Sequence, residues 1–347
     1  MNRRTIAFAA AAIACSPLAA NAQTIRFAVF GDYGQSSNTQ TVATRVLSMT
    51  PDFICTTGDN TYSTTNNIAN WDSAVGQYYR SYILLPSNSA HFAQSSPVNK
   101  FFPTLGNHDF DVGNSATSYT NYFIGLPGNK RYYTFTQGPV QFFMLSSDQR
   151  EPSGTTVGSV QYNWFVNEVN QSTARWQVVM FHHPFQTSTT SSHGPSNYMN
   201  WGFQNFGVDM VLQGHNHTME RLSFGGIPWF VTGAGGRSHY SFTSISPNSQ
   251  FRNSTLYGFS MVTATANTLK HEFISAAGAV LDTFTVNAPI PQCQGDANTD
   301  FAINFADITA VLASFGTAGP LGDANFNGAV DFTDVTTVLG NFGLPCP

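Results

Sequence analysis

Asp32, Asp59, Tyr62, Asn107, His182, His215 and His217 are side chains able to hold metal ions, and they fall in five short motifs. These are Gly31-Asp32, Gly58-Asp59-Asn60-Thr61-Tyr62, Gly106-Asn107-His108-Asp109, Val179-Met180-Phe181-His182 and Gly214-His215-Asn216-His217. By charge they divide into two sets. Asp32, Tyr62 and His217 are anion-rich and suit a trivalent ion, whereas Asn107, His182 and His215 are neutral donors suited to a divalent one. Asp59 is the carboxylate expected to bridge them. Two metals a few ångströms apart are a device for in-line displacement at phosphorus. Singly, each motif is weak, since a Gly-Asp after a strand is often only a turn and His-x-His only a loop. Their joint order carries the inference.

The elements that must position these residues read as strands. Short apolar runs at Ile25–Phe30, Asp52–Thr57, Val140–Ser146, Trp176–Phe181, Asp209–Gln213 and Pro228–Thr232 lack alternation, which suits strands covered on both faces. Helices are expected at Thr39–Met49, Ile68–Tyr82, Ser159–Ser172 (with Ser159 as N-cap) and Asn197–Phe206. Residues Tyr257 to Val286 read as two or three closing antiparallel strands. Such alternation predicts an α/β layered domain. Asp32, Asp59, His182 and the His215/His217 pair each follow a predicted strand, so ligands spread over roughly 185 residues would converge on one rim, where open α/β sheets collect them.

At these positions the chain resembles the purple acid phosphatases, within the calcineurin-like metallophosphoesterase superfamily. The resemblance spans residues 24 to about 286, and Tyr62 is its discriminating residue, because generic superfamily members lack a tyrosine there. It implies a four-layer α/β/β/α sandwich and a binuclear Fe(III)–M(II) centre. Asp32, Tyr62 and His217 would hold Fe3+, Asn107, His182 and His215 the divalent ion (Fe2+, Zn2+ or Mn2+), and Asp59 both. The expected activity is acid phosphatase action: hydrolysis of small-molecule phosphate monoesters by in-line attack of metal-bound hydroxide, with His108 as proton donor or charge stabiliser. His193 resembles the second substrate histidine of small family members, two residues further from His182 than their usual spacing. Asp109 is expected to support the ligands. His91, His183, His239 and His271 are expected to pack or face solvent. A divalent-metal phosphodiesterase or pyrophosphatase on the same fold is the alternative, and a non-catalytic assembly component a third reading.

The remaining features concern context. Residues 1–22 read as a secretory signal: Arg3 and Arg4, an apolar stretch from Thr5 to Ala14, and Ala20-Asn21-Ala22 as cleavage site. Ala12 disfavours lipid attachment at Cys15. That stretch is too short for a permanent anchor, so a secreted product, extracellular or periplasmic, is expected without a transmembrane anchor. Removing Arg3 and Arg4 lowers Lys+Arg from 14 to 12 against 19 Asp+Glu, a formal −7; that excludes a basic stripe for nucleic acid. Of the later cysteines, Cys55 reads as a buried thiol, and Cys293 and Cys346 bracket the C-terminal segment, where a disulfide would contribute roughly 4 kcal/mol.

The domain reading is 23–286 catalytic, 287–294 linker and 295–347 a small all-α module built on a repeat of period 27, as in Gly295-Asp296-Ala297-Asn298 and Gly322-Asp323-Ala324-Asn325. Oxygen donors at Asp296, Asn298, Asp300, Asn304 and Asp307, and again at Asp323, Asn325, Asn327, Asp331 and Asp334, match the spacing of a twelve-residue Ca2+ loop. Gly328 supplies the usual sixth-position turn; Phe301 is not expected to. Aspartate at position 12 and a helix only after each loop make the module resemble a type I dockerin. That implies a cohesin-like or cell-surface partner.

Overall fold

The computed structural model describes residues 24–347 except 64, 66, 111–114, 190–192, 289–292, 319–320, 345 and 347. The expected export signal with Cys15, and the middle of the expected linker, lie outside the described residues. The chain divides into two units, Met1–Val286 and Asn287–Pro347.

In chain order the first unit begins with β1 (Ile25–Phe30), α1 (Ser37–Ser48) and β2 (Phe53–Thr56). A helical stretch follows as α2 (Ile68–Trp71), a π-helical turn (Asp72–Gly76) and α3 (Gln77–Tyr79). Next come β3 (Phe101–Pro103), α4 (Thr117–Tyr122), β4 (Tyr133–Gln137), β5 (Val140–Met144), α5 (Val160–Asn170) and β6 (Trp176–Met180). Then β7 (Met210–Gln213), β8 (Met219–Phe224), β9 (Ile227–Thr232) and β10 (Ser249–Asn253) precede β11 (Gly258–Ala264), β12 (Thr268–Ser275) and β13 (Val280–Asn287).

These strands form two sheets, ordered β13-β12-β11-β1-β2-β3 and β10-β8-β9-β7-β6-β5-β4. The pleat sends successive side chains to opposite faces, and both faces are used. Phe27 of β1 meets Phe142 of β5 with ring centroids 5.0 Å apart, and Phe102 of β3 stacks on Phe135 of β4 at 3.9 Å, so the sheets pack face to face. The alternate residues point outward: Phe30 meets Tyr79 of α3 at 5.2 Å, and Phe143 meets Phe165 of α5 at 5.4 Å. Burial on both faces explains the nearly continuous apolar runs.

Pairing then aligns the strand ends. β1, β2 and β3 are mutually parallel in one sheet, as are β5, β6, β7 and β9 in the other. The first unit is thus a mixed α/β fold with two sheets, whose parallel strands end on shared rims. The expected helix over Asn197–Phe206 is corrected to two 3-10 turns, Asn197–Met199 and Phe203–Phe206. Gly202 between them sits at φ 68°, a left-handed conformation that ends a helix. Among the described residues no helix is long and apolar enough to cross a membrane.

In the second unit, α6 (Phe305–Ala313) and α7 (Phe332–Asn341) each follow a loop and are capped by Asn304 and Asp331. Its core is the repeat itself: Ala297, Ile303 and Val311 pack with Ala324, Val330 and Val338, their counterparts 27 residues on. Cys293 and Cys346 are joined by a disulfide, and Cys55 is a buried free thiol. Phe301 does make the sixth-position turn, at φ 68° beside 87° for Gly328, although it lacks glycine's freedom.

Candidate metal centre

Three of the seven donors sit in the left-handed region without being glycine: Asp32 at φ 56°, Asp59 at 52° and His215 at 66°. Each directly follows a glycine just beyond a strand, after β1, β2 and β7 respectively. Space dictates glycine there, and likewise at Gly106 before Asn107. A Cβ on Gly58 would lie 2.7 Å from His182 Nδ1, and one on Gly106 only 2.2 Å from Asp59 Oδ1. The loops are stitched across the sheets: Gly214 N–H donates to His182 O, Asp32 N–H to Gly58 O, and Gly31 N–H to Thr232 O.

Two groups of donors result. In the first, His217 Nδ1–H donates to Ser238 O at 2.7 Å, which turns Nε2 to within 3.5 Å of both Asp32 Oδ1 and the Tyr62 hydroxyl. In the second, His182 Nδ1–H donates to Thr57 O at 2.7 Å. Its Nε2 then faces Asn107 Oδ1 at 3.0 Å, His215 Nδ1 at 3.2 Å and Asp59 Oδ1 at 3.3 Å. Asp32, Asp59 and His182 each offer an atom within 4.8 Å of the others, so Asp59 stands between the groups.

The donor chemistry fits a pair of cations. Asp32 Oδ1 is buried and accepts no hydrogen bond among the described residues. With its N–H committed, His182 Nε2 presents a lone pair to the Asn107 carbonyl and the Asp59 carboxylate, a convergence that a cation relieves. Burial, then the charge of Asp59, pushes the Asp32 carboxyl well up, and burial pushes Asp59 up too. Burial holds His182 down to about 3 and His217 to about 4, and drives His215 lower still, so all three are neutral donors. The Tyr62 phenol is raised by burial and by Asp59 and Asp32, and its phenolate therefore needs positive charge beside it.

His108 and His193 flank the two groups. His108 donates its backbone N–H to Asp59 Oδ1 at 2.9 Å, places Nε2 4.0 Å from Asp59 Oδ2, and rests its ring against Tyr62. His193 Nδ1 lies 3.3 Å from His215 Nε2. Asp109 accepts from Gly106 N, Asn60 N, Asn60 Nδ2 and Thr61 N, and so ties the Tyr62 loop to the Asn107 loop.

Several neighbours escape sequence reasoning. His183 does not merely pack: its ring lies 4.7 Å from that of His215, and Ser147 Oγ meets its Nδ1 at 3.0 Å. Arg150 donates to Asn107 O and grips Asp148. Tyr240 stacks on His217 at 4.1 Å and on His193 at 4.3 Å, and the Arg237 guanidinium lies 4.2 Å from the Tyr62 ring centroid. The signal for the last two is the run Gly233-Ala234-Gly235-Gly236 directly after β9. A cleft of about 540 Å3, lined by Arg150, His183, His193, Tyr198 and His215, opens beside the second group.

In the second unit, both loops fold alike. The Asp296 carboxylate accepts from Asp300 N and Phe301 N, and Asp323 accepts from Asn327 N and Gly328 N. Asp307 accepts from Asn298 N and Asn304 N, as Asp334 does from Asn325 N and Asp331 N. Asn304 and Asp331 are engaged as helix caps. Atoms of Asp296, Asp300 and Asp307 lie within 4.8 Å of one another.

Comparison with known proteins points the same way. A family model described as calcineurin-like phosphoesterase matches residues 25–219, and one described as iron/zinc purple acid phosphatase-like protein C matches residues 228–283. Purple acid phosphatase 23 of Arabidopsis thaliana is 24% identical over 227 residues, covering 57% of this chain and 48% of that protein. Purple acid phosphatase 15 of the same plant is 25% identical over 221 residues, covering 56% and 40%. The chain thus spans less than half the length of these curated relatives. Among solved structures, purple acid phosphatase PPD1 from yellow lupin (Lupinus luteus) seeds superposes with a TM-score of 0.59 at 18% identity, covering 77% of this chain and 54% of that one. GAP50, the anchor in the inner membrane complex of Plasmodium, gives 0.58 at 19%, covering 77% and 89%. At these identities the structures speak for the fold alone.

Proposed function

The chain belongs to the calcineurin-like phosphoesterase family, and on that footing we propose that it hydrolyses phosphate monoesters at a binuclear Fe(III)–M(II) centre. The observation carrying this reading is the pair of donor groups that share Asp59: Asp32, Tyr62 and His217 on one side, Asn107, His182 and His215 on the other. The first group is anionic and would hold Fe3+; the second is neutral and would hold Fe2+, Zn2+ or Mn2+. Bound there, the two ions would neutralise phosphoryl charge and acidify a water.

The chain's own residues do the rest. Thr57 O and Ser238 O fix the tautomers of His182 and His217, so each offers Nε2. Asp109 holds the Tyr62 and Asn107 loops at one spacing. His108, at the solvent side of Asp59, delivers a proton to the leaving oxygen of the ester, and His193 orients the phosphoryl group from the cleft side. Tyr62 favours this reading over a divalent-metal phosphodiesterase or pyrophosphatase, since a phenolate is a ligand for a trivalent ion.

Metal analysis with a visible spectrum tests it. The native protein should carry iron and a phenolate-to-iron band, and Tyr62→Phe should bleach that band and loosen the iron. A colourless wild-type protein with full esterase activity would overturn the Tyr62 assignment. The disulfide Cys293–Cys346 supports an exported protein, extracellular or periplasmic. The second unit we read as a dockerin-like Ca2+ module that attaches the enzyme to a cohesin-like or cell-surface partner. Phe305, Leu312 and Phe315 and their repeats Phe332, Leu339 and Phe342 are exposed, which supports such a partner.

A further inference from the structure

We propose that Arg237 is a specificity-determining residue: its guanidinium contacts a non-bridging oxygen of the substrate phosphate and biases the site toward dianionic monoesters over monoanionic diesters. The inference rests on the phosphatase reading above and adds a substrate-touching residue to it.

Arg237 is built into the rim. Its backbone N–H donates to Asp32 O at 3.0 Å, so the residue is pinned to the loop that carries one donor. Its aliphatic stem lies over Gly34, where a Cβ would come within 2.7 Å of Arg237 Cδ; Gly34 is at φ 60° and leaves that space open. The guanidinium carbon then rests 4.2 Å from the centroid of Tyr62, the face of a ring whose hydroxyl is 3.5 Å from His217 Nε2.

Its charge is what distinguishes it. Two arginines border the centre. Arg150 is engaged by Asp148 through Nε at 2.8 Å and donates to Asn107 O, so its charge is matched by a carboxylate. Arg237 has neither ion-pair partner nor side-chain hydrogen bond among the described residues, and it is exposed. A planar guanidinium held against a ring keeps its N–H edge for a ligand, and phosphate oxygens are the acceptors that match that fork. Tyr240, stacked on both His217 and His193 three residues further on, keeps the loop from swinging away.

A monoester dianion offers Arg237 two negative charges spread over three free oxygens, and a diester offers one charge over two. Loss of one charge-assisted hydrogen bond corresponds to about 10- to 100-fold in binding. The test compares p-nitrophenyl phosphate with bis(p-nitrophenyl) phosphate on metal-loaded wild type and Arg237→Gln, with inorganic phosphate as inhibitor. Arg237→Gln should raise KM for the monoester and Ki for phosphate about 10-fold or more, change the diester's kcat/KM by less than about threefold, and leave iron content intact. Arg237→Lys should recover part of the loss. Equal losses on both esters, or an unchanged phosphate Ki, would overturn the assignment while leaving the phosphatase reading standing. A wild-type protein that hydrolyses neither ester would overturn both.

Discussion

Asp32, Asp59 and His215 are held in a backbone region that L-residues seldom adopt, at a cost of about 1–3 kcal/mol each. Strain repeated at three strand ends on one rim is the mark of a site that needs those carboxylates and that imidazole aimed inward. His108 is placed differently, since its backbone N–H anchors Asp59 and its side chain remains 39% exposed. The side chain can therefore be replaced without removing the anchor. His108→Gln should lower kcat by about 10²–10⁴, as for lost proton transfer, with iron content and visible band unchanged. The loss should shrink for esters with acidic leaving groups, which need no proton; an unchanged kcat on a poor leaving group would take His108 out of the reaction. Donors at strand ends were legible because Gly-Asp, Gly-His and Asn-His advertise them. Arg237, Tyr240 and His183 were not, because their partners Tyr62, His217 and His215 lie far off in sequence and only folding brings them together.

Elements buried on both faces announced themselves in the sequence, and elements at the edges did not. β1, β6 and β9 are mostly apolar, β1 broken only by Arg26 and β6 only by Gln177, and lie within a residue or two of their expected spans. β3 is only three residues, and β4 and β10 are edge strands, β4 grading from buried to exposed and β10 alternating, so no apolar run marked them. The helix expected over Asn197–Phe206 failed on Gly202, whose left-handed backbone outweighs the apolar spacing around it. β12 carries a consequence of the sheet-on-sheet packing. His271 is buried, stacks on Phe230 at 3.6 Å, and its ring bonds Ser260 Oγ through Nε2 at 2.7 Å, while Nδ1 has no partner among the described residues. Burial and then Arg221 hold its pKa well below the usual 6.5. Folding therefore favours the neutral ring: the stability it confers is whole above about pH 6.5 and is lost as pH falls, by about 1.4 kcal/mol per unit until the folded-state value is reached. His271→Gln cannot titrate, so its melting temperature should fall less between pH 7 and pH 5 than that of the wild type. Parallel pH profiles for the two proteins would contradict this.

At the scale of the whole chain, the family resemblance ends at residue 283, and the second unit is built on its own repeat. The repeat itself was legible, because the 27-residue period recurs in the core, where Ala297, Ile303 and Val311 meet Ala324, Val330 and Val338. What spacing could not reveal was that Phe301 would accept the left-handed turn that Gly328 makes. The unit is small, with a core of six repeat-related side chains beside one disulfide, and units of that size lean on staples. Its first loop places Asp296, Asp300 and Asp307 within 4.8 Å, a cluster of like charge that Ca2+ would convert from repulsion to coordination. Calcium at about 100 times its dissociation constant should stabilise this unit by about 2.7 kcal/mol per site. Calorimetry of the full chain should therefore resolve two transitions, of which calcium raises only one, and Asp296→Ala combined with Asp323→Ala should abolish that rise without changing ester hydrolysis. A calcium response that survives both substitutions would remove the ions from these loops, and a loss of hydrolysis would mean that the two units are coupled.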